Sequence, residues 1–301
     1  MIERDLANRT ILITGATAGI GRMTATQLAS RGAHILIVGR NAERGEQAVK
    51  EISVESNGGN VTFLAADISS LDSIRHLSEV VSQQFPQLDT LINNVAGLYP
   101  TRQETVDGLE ATLAVTHLGP FLLTRLLLPL LQSQPAGRII NVCSGTFLSA
   151  RLDPETLQAP GPYQGFNAYT SAKRAMVLAT LELARRTKEH ALLVLLADPG
   201  GANTGSLAAS MQPGMMDWRT RAFASIFSVL MKLPGNVQRA ARSSIYAATA
   251  SGLQSGLYLT FNTKPGNMGP LAQDSELAAR VWHTSSQLVG LPDEITSQIS
   301  R

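Results

Sequence analysis

Short runs of apolar, β-favouring residues alternate with stretches of helical periodicity along almost the whole chain. That alternation constrains the fold more than any other feature of the sequence. TILITG (10–15) precedes a helical pattern from Ile20 to Arg31, and HILIVG (34–39) precedes a charged helix over 43–55. VTFLAAD (61–67), TLINNV (90–95), RIINVCS (138–144) and ALLVLLA (191–197) continue the series, and GLYLTF (256–261) reads as a last strand. The runs are apolar at consecutive positions, as expected of strands covered on both faces. Strands alternating with helices connect by right-handed crossovers into a parallel sheet. The expectation is an α/β fold, a doubly wound parallel sheet in a single domain over residues 1–301. Only residues 205–235 break the rhythm, and a further helix follows from about Asp274.

Composition narrows the function classes. Apolar residues make up 44% and charged residues 16% of the 301, enough for a core and no basis for disorder. The formal charge is +2 and the Lys and Arg are scattered, so nucleic-acid and anionic-membrane partners gain no support. The one cysteine, Cys143, excludes an internal disulfide and fits a reducing compartment. The opening MIERDLANRT carries charges where a signal peptide is apolar, and the apolar-rich segments are broken by Arg, Pro or Lys. A soluble, cytoplasmic protein without a membrane span is the expectation.

In an open α/β sheet, ligands bind beyond the carboxyl ends of the strands, where strand order reverses. The first strand ends in TGATAGIGR, Thr14 to Arg22. Glycines there allow a sharp turn and close approach of backbone amides to a pyrophosphate, and the helix that follows adds its positive N-terminal end. Candidate cofactor contacts are therefore Gly15, Thr17, Gly19, Ile20, Gly21 and Arg22. The second strand runs into Gly39-Arg40, where a cofactor with a free ribose 2′-hydroxyl would need an acidic acceptor. Guanidinium groups at Arg40 and Arg22 suit a 2′-phosphate instead, so the expected cofactor is NADP(H).

NAYTSAKRAM (167–176) places Tyr169 and Lys173 four apart on a helix, hence on one face. With the glycine loop, these residues resemble the short-chain dehydrogenase/reductase family, within it the retinol dehydrogenase-like branch, over nearly the whole chain. The resemblance implies the Rossmann fold and a set of roles. Ser144 in NVCSGT would be the catalytic serine, with Tyr169 and Lys173 as the Tyr-Lys pair. Asp67 would bond the adenine amino group, and Asn93 would lie along the cofactor at the end of the fourth strand. Pro199, Gly200 and Thr204, in DPGGANT, would close over the nicotinamide. Carbonyl reduction needs a hydride at carbon and a proton at oxygen. A phenol of pKa about 10 exchanges poorly near neutrality. A lysine cation one turn away would favour the phenolate, and Ser144 would steady the developing charge on the substrate oxygen.

Two departures from the family pattern stand out. Thr116, in LAVTHLGPFLLT, occupies the place of a fourth active-site residue, an asparagine that helps hold a water linked to the lysine. A threonine hydroxyl can bond a water with one donor only, so a slower proton relay is expected. The neighbouring His117 is read as a helix residue facing elsewhere. NNVAG places Ala96 where a glycine is usual, which could crowd the ribose. The segment GSLAASMQPGMMDWRTRAFASIFSVLMKLPG (205–235) stands where the family keeps a mobile substrate lid. Met211, Met215, Met216, Trp218, Phe223, Phe227 and Met231 suit it to an irregular apolar ligand. Phe147, Leu152 and Tyr163 are a second candidate wall. The leading reading is an NADP(H)-dependent oxidoreductase acting on a ketone, aldehyde or alcohol of a lipophilic small molecule. A non-redox cyclase or isomerase on the same scaffold is the alternative that Thr116 suggests, and a regulatory nucleotide-binding protein is a third. A homodimer through the helices carrying Thr116 and Tyr169 is what the resemblance implies.

Overall fold

In the computed structural model, which describes residues 4–200 and 236–295, the apolar runs become one parallel sheet. Its strands are β1 (Thr10–Thr14), β2 (His34–Gly39), β3 (Val61–Ala65), β4 (Thr90–Asn93), β5 (Gly137–Val142), β6 (Leu192–Ala197) and β7 (Tyr258–Leu259). They lie in the order β3-β2-β1-β4-β5-β6-β7, each pair parallel. The helices are α1 (Gly19–Ser30), α2 (Ala42–Glu55), α3 (Leu71–Gln84), α4 (Ala111–Gln132), α5 (Gly165–Arg186), α6 (Asn236–Thr249) and α7 (Ser275–Leu288). From β1 the chain winds outward to β3, then returns to β4 on the other side of β1. The strand order therefore reverses between β1 and β4, and the carboxyl ends there form a crevice. Thr204 and the expected lid, 205–235, lie outside the described residues.

Strand parity distributes the apolar runs over two layers. Leu12, Leu91 and Ile139 face a core shared with α3, α4, α5 and α7. Ile11, Ile13, Ile92, Ile140 and Val142 face the other core, which contains residues of α1, α2 and α6. Burial on both faces is why these strands are continuously apolar. Short polar residues start the helices where a side chain can replace the missing backbone partner. Asn41 accepts from the Arg44 amide before α2, Ser70 caps α3 and Asp274 caps α7.

α4 carries a π-helical turn at Ala114–Leu118, directly before Gly119-Pro120. Pro120 has no N–H to give to the preceding turn, which widens there. A side chain at Gly119 would strike the Ile68 carbonyl oxygen at 2.2 Å, so glycine lets the end of β3 approach the kink. By length and hydropathy α4 could cross a membrane, which corrects the expectation that no segment qualifies. Its apolar surface is nevertheless taken up by the fold, with 78% of the most apolar stretch buried against its own chain.

α7 lies across α4 and α5, the two helices on which the resemblance placed self-association. Its Trp282 stacks edge-on to Phe121 of α4, centroids 4.9 Å apart. The guanidinium groups of Arg125 and Arg186 lie 4.8 and 4.9 Å from the Trp282 ring centre. Both arginines also donate to backbone carbonyls of the segment after α7, Arg125 to Pro292 and Glu294 and Arg186 to Asp293, all at 2.8 Å.

Candidate active site

The loop from β1 to α1 has the geometry its glycines suggest. Gly15 and Gly19 adopt left-handed φ values of 65° and 57°. A Cβ on Gly21 would stand 2.5 Å from the Gly15 carbonyl oxygen and from Asn94 Nδ2. α1 begins at Ala18 with no side-chain cap, so its first amides remain available to an anion. The loop is fixed from β4. Asn94 Nδ2 donates to the carbonyl oxygens of Thr14 and Gly15, both at 3.1 Å. The amides of Asn94 and Val95 donate to Thr14 Oγ1.

Asn93, expected along the cofactor, turns the other way. Its Nδ2 donates to Thr124 Oγ1 and Asn141 Oδ1 at 2.9 and 2.8 Å, in a buried polar chain that continues through Thr180. Parity is the reason, because Asn93 shares its face with Leu91 and Asn94 shares its face with Ile92. Sequence reasoning placed Asn93 along the cofactor and assigned no role to Asn94, whose side chain is the one that meets the glycine loop.

Arg40 follows β2, is exposed, and has no hydrogen bond or ion pair among the described residues. Gly39 before it leaves room for Thr17, whose Cγ2 would be 2.8 Å from a Cβ there. Arg22 is committed elsewhere, since its Nη1 meets Glu51 at 3.1 Å and Glu55 at 2.8 Å on α2. It is not a free guanidinium for a 2′-phosphate. Asp67 closes its own turn by accepting from the amide and hydroxyl of Ser69. Ile20 packs on Ala240 and Ala241 of α6. Ala96 is exposed at the loop surface.

Beyond β5 and along α5, the fold gathers Ser144, Tyr169 and Lys173. Tyr169 and Lys173 are both buried, with Lys173 Nζ 5.9 Å from the Tyr169 ring centre. Lys173 Nζ donates to the Val142 carbonyl at 2.6 Å, which uses one of its three hydrogens. Thr146 Oγ1 donates to Ser144 Oγ at 3.1 Å, so the Ser144 hydrogen is not spent on Thr146. Burial pushes the Tyr169 phenol upward against the lowering effect of the Ser144 hydroxyl, and nearby Cys143 and Asp198 add to the rise. Burial also lowers Lys173 to about 8. Desolvation thus sets the direction for Tyr169, and the expected lowering by Lys173 is not seen.

Thr116 is fully buried in the π-turn, and its one hydrogen is committed. It donates to the Gly97 carbonyl at 3.1 Å and accepts from the Gly97 amide at 3.2 Å. It braces the NNVAG loop, which corrects the expectation that it holds a relay water. His117 points away from the site and meets Ser285 Oγ at 2.7 Å. The second candidate wall is also corrected. Phe147 is fully buried against Tyr258, and Tyr163 bonds Glu110 Oε1 at 2.9 Å. Glu110 caps the start of α4 through the Thr112 and Leu113 amides, so this pair joins the start of α4 to the segment entering α5. No sequence motif marks that pair. Among the described residues no His, Cys, Asp or Glu cluster could hold a metal.

A glycine cradle at the β1 end, an unpaired arginine after β2 and a Ser/Tyr/Lys set beyond β5 are one constellation, and residues 9–213 match the family model for short chain dehydrogenases. The chain belongs to the short-chain dehydrogenase/reductase family, in its retinol dehydrogenase-like branch. Within this family it is 35% identical to human retinol dehydrogenase 13, over 96% of this chain and 87% of that one. It is 33% identical to a provisionally named daunorubicin C-13 ketoreductase of Streptomyces sp. (strain C5), over 95% and 94% of the two chains. A provisionally named short chain dehydrogenase of Escherichia coli CFT073, solved with NADPH, superposes with a TM-score of 0.63 at 23% identity, covering 86% of this chain and 99% of that one. For this short-chain dehydrogenase, the cradle is too tight for a side chain at Gly21, α1 has no side-chain cap, and Arg40 has no partner among the described residues. These features fit a nicotinamide dinucleotide.

Proposed function

We propose that this enzyme is an NADP(H)-dependent oxidoreductase that interconverts a ketone or aldehyde with an alcohol on a lipophilic small molecule. The observation that carries the reading is the set of Ser144 with the buried Tyr169 and Lys173, joined to a glycine cradle at the β1 end and to Arg40, which has no partner among the described residues. Gly15, Gly19, Gly21 and the α1 amides would hold the pyrophosphate, and the Pro199-Gly200 turn would flank the nicotinamide. The nicotinamide, when bound, supplies or accepts the hydride. Ser144 would turn its hydrogen to the substrate oxygen and steady the charge that develops there. Tyr169 gives its proton to that oxygen on reduction and takes it back on oxidation. Lys173 has two hydrogens beyond the Val142 contact with which to hold a ribose. The names of the two relatives, one a retinol dehydrogenase and one a polycyclic ketoreductase, support a lipophilic substrate. Arg40 and the NADPH held by the E. coli protein support the phosphorylated cofactor.

The test is a titration of the purified protein with NADPH and NADH, followed by loss of reduced-cofactor absorbance against a panel of apolar ketones, aldehydes and quinones. NADPH oxidation that Tyr169→Phe removes, with cofactor binding kept, is the expected result. Unchanged turnover in Tyr169→Phe would show that another group handles the proton. Conversion of a substrate with no net change in cofactor would favour the non-redox reading.

A further inference from the structure

We infer that Asp198 is a positioning residue of this site, a buried carboxylate that stabilises the Lys173 ammonium through space and ties the Pro199-Gly200 turn to β7. The inference rests on the proposed roles of Tyr169 and Lys173. The sequence does not point to Asp198, which merely follows an apolar run, and geometry supplies the case. The β5–β6 register pairs Val142 with Ala197, and the Cys143 amide donates to the Ala197 carbonyl at 2.9 Å, so Cys143 and Asp198 are neighbours just beyond the pairing. Val142 and Ala197 face the α1 layer, so Cys143 and Asp198 face the α5 layer, which carries Tyr169 and Lys173.

Asp198 is 7% exposed. Its Oδ1 accepts from the Gly200 amide at 2.8 Å and its Oδ2 from the Tyr258 hydroxyl at 2.6 Å. Both partners are donors, so both carboxylate oxygens act as acceptors. Tyr258 is itself fixed, stacked edge-on to Phe147 at 5.5 Å, while a side chain on Gly266 would enter its ring at 2.4 Å. Oδ2 also lies 3.3 Å from where a Cβ on Gly145 would stand, next to Ser144.

A buried anion is unfavourable without a compensating cation. The buried cation near it is Lys173, 2% exposed. The titratable groups around Lys173 are Tyr169 on its own helix, Cys143 after β5 and Asp198 after β6, with Tyr258 of β7 behind Asp198. Burial lowers Lys173, while Cys143 and then Asp198 act to raise it. Burial pushes the Cys143 thiol well above its usual value, so at neutral pH it carries no charge. Burial likewise raises Tyr169 and Tyr258. Asp198 is thus the anion that supports the ammonium, and the same charge opposes the Tyr169 phenolate.

The experiment is carbon-13 NMR of the lysine Cε positions, with the Lys173 resonance assigned by its absence in Lys173→Arg. It is run on the full chain, wild type, Asp198→Asn and Tyr258→Phe, and needs no turnover. Asparagine keeps an acceptor for Gly200 and removes the charge. The Lys173 midpoint is expected to fall by about one pH unit in Asp198→Asn, a tenfold change in proton concentration. Tyr258→Phe keeps the charge and is expected to stay within about 0.3 unit of wild type. An unchanged midpoint in Asp198→Asn, or an equal fall in Tyr258→Phe, would overturn the inference. Should Asp198→Asn not fold, Asp198→Ser makes the same comparison. A moved Lys173 midpoint in a protein that never oxidises NADPH would refute the proposed redox function and uphold the electrostatic role of Asp198.

Discussion

Thr116→Val separates a brace from a proton relay. Valine has nearly the shape of threonine, so the buried site in the π-turn keeps its packing and loses only the hydroxyl. That hydroxyl makes two bonds, one to each backbone polar group of Gly97. Each hydrogen bond contributes about 0.5–1.5 kcal/mol net, and a donor or acceptor left unpaired in the interior costs about 1–3 kcal/mol. Gly97 is half-buried, so water can reach part of the vacated site. We expect a loss of about 1–3 kcal/mol for the two together. Urea unfolding of wild type and variant measures it as a lower midpoint with an unchanged slope. Turnover should fall because the β4 loop that fixes the glycine cradle loses a support, while the pH at which the rate is half-maximal stays put. Unchanged stability with a shifted pH profile would refute the brace and return Thr116 to a proton-handling role.

Arg40→Asp should weaken NADPH by about ten- to a hundredfold, the range of a charge-assisted contact, and leave NADH equal or tighter. Calorimetric titration with both cofactors reads this, and equal losses would remove Arg40 from the 2′-phosphate. Gly21→Ala puts a methyl 2.5 Å from the Gly15 carbonyl oxygen. It should weaken either cofactor at least about tenfold, and wild-type affinity would show that the cradle lies elsewhere. His117 titrates at about 3 in the fold because burial disfavours its charged form, against 6.5 for the free side chain. The sign follows from proton counting. Above pH 6.5 neither state is charged, and below it the unfolded chain takes a proton that the folded one refuses. Stability is therefore lost from pH 6.5 down toward 3, by a little over 1 kcal/mol per unit. Urea unfolding at pH 7 and 5 should show a slope that His117→Gln reduces, and an identical slope in both proteins would refute it.

What was legible in the sequence followed from period and from backbone freedom. Continuous apolar runs gave away strands covered on two faces, and glycines before a helix gave away the cradle. Tyr169 and Lys173 share a helical face by spacing alone. The side-chain direction of Asn93 was not foreseen, although strand period bears on it. Leu91, Ile92, Asn93 and Asn94 alternate between faces, so only one asparagine can reach β1. Which one depends on which face holds α1, and strand period alone does not fix that. The ion pairs of Arg22 were not foreseen because its helix neighbours in space, Glu51 and Glu55, are some thirty residues away in sequence. Asp198, Tyr258 and Glu110 were missed, and Tyr163 was given another role, because each acts through a contact between segments distant in the chain.

The helix pair α4 and α5 shows how a departure in one region bears on the inherited use of another. The resemblance implied self-association through these helices, which needs their outward groove open. Here the groove is roofed by Trp282, and α7 packs along α5. Arg125 and Arg186 hold the roof in two ways at once, by lying against the indole and by donating to the carbonyls of the segment that follows. Trp282 adds its own bond from Nε1 to the Asp293 carbonyl at 2.9 Å. Under it remains a cavity of about 20 Å³, lined by His117, Thr124, Asn141 and Thr180 among others, with room for about one water. Ser285 donates to the Val281 carbonyl and so must accept from His117 Nε2–H, which fixes the neutral tautomer. His117, the residue next to the family's asparagine position, is thus committed to holding α7 in place. The two adjacent positions divide the work of α4, Thr116 bracing the loop beneath the cradle and His117 anchoring the helix that closes the outer groove.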